Sequence, residues 1–179
     1  MEPIGPLMRE HRNIEKALGV VEKTARTIRI AGSAEPAVLS GIIHYYRYYA
    51  DRTHHGKEED ILFKKLAGKN LARELSSTME RLVSDHVRGR ELVGEIERGM
   101  SLPGHDIDRG WETIINGLEG IVALYPQHIE VEDKHFFYPA LDYLTRRERD
   151  EMLEQYAGFD AGMIHLIYDD WLEKMAEVV

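Results

Sequence analysis

The feature that most restricts the fold is a spacing of apolar residues that alternates steps of three and four along most of the chain. This spacing places the apolar side chains on one face, or seam, of an α-helix that packs in a bundle. It occurs in four long segments, which run from Leu7 to Ile28, Val38 to Leu66, Leu75 to Met100, and Trp111 to His135. No run rich in Val, Ile or Thr alternates with a period of two, so the sequence predicts no β-strand.

Short connections that contain glycine or proline separate the four segments. Gly32 follows the first helix, Gly68 follows the second, and residues 101–104 contain the turn residues that stop the third. Long helices joined by short connections favour an antiparallel up-down-up-down four-helix bundle. We therefore predict an all-α domain over residues 1–144.

A shorter helical region is predicted after the bundle. Thr145 and Glu148 have the spacing of a capping box, which marks the start of a helix. Ile164, Tyr168 and Trp171 have helical apolar spacing further along the chain. We expect residues 145–179 to form one or two extra helices that pack on the bundle or on the partner subunit of a homodimer.

Composition limits both the partners and the kind of metal site. The net charge of -9 opposes binding to nucleic acid and to anionic membranes. Charged residues interrupt positions 1–30, so we expect no signal peptide and a cytoplasmic protein. Without cysteine the chain can form neither a thiolate zinc site nor an iron–sulfur cluster. Any metal must therefore be held by histidine and carboxylate side chains.

Histidine replaces an apolar residue on the seam of every predicted bundle helix. These residues are His11, His55, His86 and His128. Two carboxylates, Glu59 and Glu132, occupy the same seams one turn after a histidine. Burying two carboxylates without a cation costs free energy or forces their protonation. The pattern therefore indicates a bound metal rather than a metal-free polar network.

The pair His-x3-Glu occurs twice, each time within a longer motif. Residues 55–63 and 128–136 share the pattern His-x3-Glu-Asp-x2-Phe, and His11 and His86 precede them at nearly the same distance. Residues four apart lie on one helix face with Cβ atoms about 6 Å apart, so each pair can face one cavity. Two such helical hairpins predict a site for two metal ions.

The second helix allows two registers for its ligand pair. His54 and Glu58 have the same spacing as His55 and Glu59. We choose His55 and Glu59 because their seam continues into apolar residues, whereas the alternative seam continues to the charged Lys65. Glu58 remains the alternative carboxylate.

These motifs resemble those of hemerythrin-like proteins, the HHE cation-binding family, and the string HHGKEEDILF is similar to the signature of the second helix in that family. The resemblance covers residues 7–142. It implies a non-haem di-iron centre with terminal nitrogen ligands and two bridging carboxylates. The implied ligands are His11, His55, His86 and His128, with Glu59 and Glu132 as the bridges. Imidazole and carboxylate alone suit iron, manganese or zinc, so the choice of iron rests on the resemblance.

Two positions bear on how this centre differs from that of oxygen-carrying hemerythrins. Those proteins have a second histidine one turn after the ligand of the third helix, where this chain has Arg90. This departure disfavours oxygen transport and leaves one iron with fewer protein nitrogens. His135, three residues after Glu132, is a candidate additional ligand.

Two classes of function follow from the resemblance. The first is binding or sensing of dioxygen, nitric oxide or peroxide. The alternative is a di-iron enzyme that reduces peroxide or consumes nitric oxide with electrons from a separate donor. We favour the binding protein, because the sequence shows no general acid, nucleophile or dinucleotide-binding motif apart from the metal ligands.

Overall fold

All regular secondary structure is helical in the residues that the computed structural model describes, which are 2–102, 104–160 and 163–178. The elements in chain order are α1 (Ile4–Ala31), α2 (Pro36–His44), π1 (Tyr45–His55), π2 (Glu58–Phe63), α3 (Lys64–Ala67), α4 (Arg73–Met100), a 3-10 turn (Gly104–Asp106), α5 (Ile107–Val131), π3 (Glu132–Phe136), α6 (Phe137–Leu141), α7 (Arg146–Phe159) and α8 (Ile164–Val178). The all-α prediction is confirmed for this part of the chain, and Pro103 of the predicted third connection lies outside it.

The four predicted bundle helices are present, two as single α-helices and two as composites. α1 and α4 are the first and third. The second bundle helix, residues 36–67, joins α2, π1, π2 and α3, and the fourth, residues 107–141, joins α5, π3 and α6. Gly32 ends α1 in the left-handed conformation at φ 77° and donates its N–H to the carbonyl of Ile28. Glycine adopts this conformation without a steric penalty.

The π-helical segments change which side chains the second bundle helix buries. In a π-helix each N–H bonds to the carbonyl five residues earlier, so each residue turns through a smaller angle than in an α-helix. A seam with the α-helical period therefore drifts out of register. Tyr48 and Arg52, both on the predicted seam, are exposed, whereas the adjacent His54 and His55 are both buried.

Two apolar clusters fill the bundle, and the histidines lie between them. Along α1, Ile4 and Leu7 belong to one cluster and the buried apolar residues from Ile14 onward belong to the other, with His11 in between. The other bundle helices also pass from one cluster to the other at the level of their histidines. Apolar packing therefore borders this polar layer on both sides along the bundle.

The C-terminal helices pack on the bundle of their own chain. Thr145 and Glu148 form the predicted capping box at the start of α7. On α8, the Asp169 carboxylate accepts a hydrogen bond of 2.8 Å from Asn13, and the Trp171 ring stacks on Tyr45 with centroids 5.1 Å apart. Within the described residues, no helix is long and apolar enough to cross a membrane.

Glycines allow α4 and α5 to approach closely. A Cβ atom added at Gly117 would lie 2.8 Å from the Leu92 carbonyl oxygen and 2.7 Å from the Ile96 side chain. Gly19 of α1 is also helical, but a Cβ atom there would meet no atom within 4 Å. The two positions test packing and helix propensity separately.

We expect Gly117→Ala to lower the free energy of unfolding by about 1–3 kcal/mol, because α4 and α5 must separate to admit the methyl group. Gly19→Ala should instead raise it by about 0.5–1 kcal/mol through helix propensity. Urea unfolding of the two variants measures both values. Equal effects in the two variants would show that the close approach does not constrain the bundle.

Candidate metal centre

One group of four buried side chains brings together α1, the second bundle helix and π3. Its members are His11, His54, Glu58 and Glu132, whose potential ligand atoms all lie within 4.8 Å of one another. The Nε2 atoms of His11 and His54 are 3.0 Å apart, and His11 Nε2 lies 3.1 Å from a Glu132 oxygen. This group has two imidazoles and two carboxylates.

A second group consists of three buried histidines, His55, His86 and His128, which again offer ligand atoms within 4.8 Å of one another. The Nε2 atoms of His86 and His128 are 3.2 Å apart, and the rings of His55 and His86 stack with centroids 3.8 Å apart. The group therefore presents three nitrogens from π1, α4 and α5 to one place.

Two carboxylates connect the groups. Glu58 Oε2 lies 3.6 Å from His54 Nε2 in the first group and 3.4 Å from His86 Nε2 in the second. A Glu132 oxygen lies 3.1 Å from His11 Nε2 and 3.2 Å from His128 Nε2. Both carboxylates thus lie between the two sets of imidazoles.

The oxygens of these carboxylates are buried without hydrogen bonds. Both oxygens of Glu58 and both of Glu132 have no hydrogen-bond partner among the described residues, and the same holds for His55 Nε2. Imidazole nitrogens lie 3.1–3.6 Å from these oxygens, so the donor atoms converge on one place. Buried polar atoms normally have partners, and charged ones are costly without them. These residues therefore fit a bound cation.

The pKa values show how the charges are balanced without a cation. Burial and the neighbouring Glu132 raise the pKa of Glu58 well above its usual value. Burial acts in the same sense on Glu132, but His128 and other imidazoles hold its pKa well below the usual range. Burial lowers the pKa of His128 as well, but Glu132 and a second carboxylate prevail and raise it to about 9. The opposite pKa shifts of Glu58 and Glu132 thus show that this layer resists holding two negative charges without a cation.

Each of the five histidines has a carboxylate at its outer nitrogen. The Nδ1 distances are 2.7 Å from His11 to Asp133, 3.0 Å from His54 to Glu10, 3.4 Å from His55 to Asp51, 2.7 Å from His86 to Glu59, and 3.5 Å from His128 to Asp85. The last is an ion-pair contact rather than a hydrogen bond. A carboxylate at Nδ1 keeps that nitrogen protonated and directs Nε2 towards the centre, as in histidine–metal sites.

The structure places Glu58 where the sequence predicted Glu59. The Glu59 side chain is 28% exposed, accepts hydrogen bonds from His86 and Arg90, and lies outside both groups. Glu58 is fully buried between them. The π-helical turn explains the shift, because it moves the buried face away from an α-helical seam.

The sequence predicted His55 rather than His54 as the ligand, but the structure brings both residues to the centre. His54 lies in the first group and His55 in the second, so adjacent residues face different groups. The smaller turn per residue in π1 helps to keep both of these neighbours inside the bundle. The remaining predicted ligands, His11, His86, His128 and Glu132, are all in the two groups.

His135 does not reach the centre. It is exposed on π3, and neither group of potential ligand atoms includes it. The turn that buries Glu132 and Phe136 directs the intervening His135 to the surface. His135, the candidate additional ligand, thus lies apart from both groups, and the fifth histidine within them is His54.

Sequence reasoning did not identify the outer carboxylates. Asp51 precedes His55 by one turn, so helix spacing alone could have indicated it. Glu10 and Asp133 contact histidines on other helices, His54 and His11, and no local spacing relates them.

A third cluster, Glu10, Asp160 and His165, also has converging donor atoms. The Lys57 ammonium contacts the carboxylates of both Glu10 and Asp160, and its side chain is fully buried. The position for a cation is therefore taken by lysine.

Comparison with known proteins gave one family match. The model of the hemerythrin HHE cation binding domain matches residues 2–141. No curated protein and no solved structure matched the chain. The matched range contains both groups and ends before α7.

Substituting the two neighbouring carboxylates tests their places. Glu58→Gln should lower the number of metal ions bound per chain, because it removes the charge of a buried carboxylate that lies between both groups of imidazoles. Glu59→Gln should keep the full number while weakening binding by about 10–100-fold, as expected for an outer partner. Elemental analysis after saturation with iron gives the count. If Glu59→Gln lowered the number of bound ions and Glu58→Gln did not, Glu59 would be the carboxylate of the centre, as the sequence predicted.

The adjacent histidines give a second test. His54→Ala and His55→Ala should each reduce iron content, since each removes a nitrogen from a different group. His135→Ala is the matched control and should leave the content unchanged. Elemental analysis of the three variants measures the outcome, and full iron content in either of the first two would remove that residue from the centre.

Proposed function

We propose a two-iron centre for this chain, which belongs to the hemerythrin HHE cation-binding domain family. Cation binding follows from that membership and from the clusters of histidine and glutamate. The observation that carries the proposal of two ions is the pair of buried carboxylates, whose oxygens lack hydrogen bonds between five inward-facing imidazoles. A single cation would leave part of this donor set unused.

The donors divide into two halves. We assign His55, His86 and His128 to one ion, which we call the three-histidine half. His11 and His54 are assigned to the other ion, the two-histidine half. The carboxylates Glu58 and Glu132 contact imidazoles of both halves and would bridge the ions.

The unequal halves indicate where a small ligand enters. The presence of Arg90 predicts a shortage of nitrogen at the ion held by the third helix, but in this assignment His55 would supply the third nitrogen there. The two-histidine half has fewer protein nitrogens, because the carboxylates are shared, and we infer that it leaves more room for an exogenous ligand. When bound, non-haem iron in such a ligand set supplies small-molecule binding and one-electron chemistry.

The surroundings favour a small uncharged ligand. Apolar clusters lie on both sides of the polar layer, so a charged substrate would lose its hydration on entry. Dioxygen, nitric oxide and peroxide remain the candidates, and we propose binding or sensing of one of them. The alternative is an enzyme that reduces peroxide or consumes nitric oxide, for which an external electron donor would be a required partner.

The bundle that we propose around this centre is antiparallel, with an up-down-up-down order. Hydrogen bonds between side chains of neighbouring helices support this order. In each pair of helices, a residue further along one helix contacts a residue earlier in the other, as antiparallel helices require. The pairs between the first and fourth helices are His11 with Asp133 and Arg29 with Glu119, and those between the second and third are Arg47 with Glu97 and Glu59 with His86.

We expect protein expressed with added iron to contain about two iron ions per chain, because the donors form two halves. The reduced protein, kept free of oxygen, should change its absorption spectrum on addition of nitric oxide, which is small and uncharged. Elemental analysis and spectroscopy measure these outcomes. Only traces of iron would contradict the proposal.

The two classes of function are separated by what happens to the ligand. A binding protein should recover its original spectrum when nitric oxide is removed by a stream of argon. Continuous loss of nitric oxide or peroxide in the presence of a chemical reductant would instead support the enzyme. Protein with Glu58→Gln is the control for reaction of free iron in solution.

A further inference from the structure

Arg90 contacts the outer carboxylates of two histidines at once. Its Nε donates to Asp51 over 2.7 Å, and its Nη2 donates to Glu59 over 2.6 Å. The same oxygen atoms of these carboxylates accept from His55 Nδ1 and His86 Nδ1, at 3.4 and 2.7 Å. One guanidinium thus completes two chains of hydrogen bonds that end at the three-histidine half.

We propose that Arg90 is a positioning residue that sets the affinity and reduction potential of the metal in the three-histidine half. The inference rests on the proposed function, since it concerns a metal held by His55 and His86. Arg90 acts on both rings through Asp51 and Glu59.

The guanidinium stabilises a pair of like charges. Asp51 and Glu59 are 24% and 28% exposed, so solvent screens their repulsion only in part. The planar fork of arginine donates to both carboxylates from fixed directions, which a lysine ammonium on its flexible stem cannot reproduce. Arg90 therefore holds both carboxylates in the positions that orient the two imidazoles.

The charge of Arg90 has a separate effect. A carboxylate that is paired with a cation accepts the imidazole proton less strongly, so the ring remains a neutral ligand. Without the guanidinium, the negative charge near the metal would be unopposed and would stabilise its oxidised form. Orientation and charge thus predict different changes, one in affinity and one in potential.

The two-histidine half has a different arrangement. Lys57 contacts Glu10 behind His54, and Arg12 contacts Asp133 behind His11. Each of these cations contacts the outer carboxylate of only one histidine, whereas Arg90 contacts those of two. Removing Arg90 should therefore affect one half selectively.

The test compares Arg90→Met and Arg90→Lys with the control Arg88→Met. Arg88 lies on the same helix and forms ion pairs with Glu91 and Glu95, away from the centre. Metal-free protein is titrated with Co²⁺, which is stable to oxidation and reports its ligands through visible absorption. Iron-loaded protein is then used for spectroelectrochemical measurement of the reduction potentials.

Arg90→Met should weaken one of the two Co²⁺ binding steps by about 10–100-fold and leave the other unchanged. It should also lower one reduction potential of the iron-loaded protein. Arg90→Lys keeps the charge but not the fork, so it should weaken the same step while the potential stays near that of the parent. Arg88→Met should match the parent in both measurements.

Two results would overturn this role. Unchanged affinities and potentials in Arg90→Met would show that the ion pairs are incidental, and equal weakening of both steps would indicate a general structural effect. Thermal unfolding of the metal-free variants by circular dichroism checks their folding, and if Arg90→Met does not fold, the same criteria for affinity apply to Arg90→Lys. Failure of the parent protein to bind Co²⁺ or iron would contradict the proposed function instead.

Discussion

The constraint on which the structure depends is the burial of Glu58 and Glu132 at the centre of the bundle. Their oxygens are buried with no hydrogen bonds among the described residues, and apolar clusters lie on both sides of them. Two such groups are stable only when opposite charge is close. Imidazole rings surround this pair, and outer carboxylates lie behind the rings. The cations Arg90 and Lys57 in turn contact some of these outer carboxylates.

The sequence predicts most of the fold because its main signal, apolar spacing, directly reflects the α-helical period. α1 and α4 are regular α-helices, and His11 and His86 lie where their seams place them. The same reasoning fails through π1 and π2. There the number of residues per helical turn changes, but the residue types do not indicate this change. Apolar spacing therefore favours His55 and Glu59, whereas the structure brings His54, His55 and Glu58 to the centre.

The outer layer illustrates a second limit of sequence reasoning. A contact such as His54 with Glu10 depends on how two helices are rotated about their axes, and periodicity identifies the inward face without giving that rotation. Arg90 shows the same limit. From the sequence it is only a departure from the pattern of oxygen-carrying relatives, whereas in three dimensions it joins two carboxylates of the site.

The buried lysine gives the C-terminal helices a thermodynamic connection to the centre. Asp160, which caps α7 beyond the matched family range, contacts Lys57, and Lys57 contacts the carboxylate behind His54. Coupling between two equilibria is reciprocal. If a metal at His54 strengthens this chain of contacts, docking of the C-terminal helices must strengthen metal binding by the same free energy. The C-terminal helices, which lie outside the matched family range, would then raise the metal occupancy of the centre without altering any ligand.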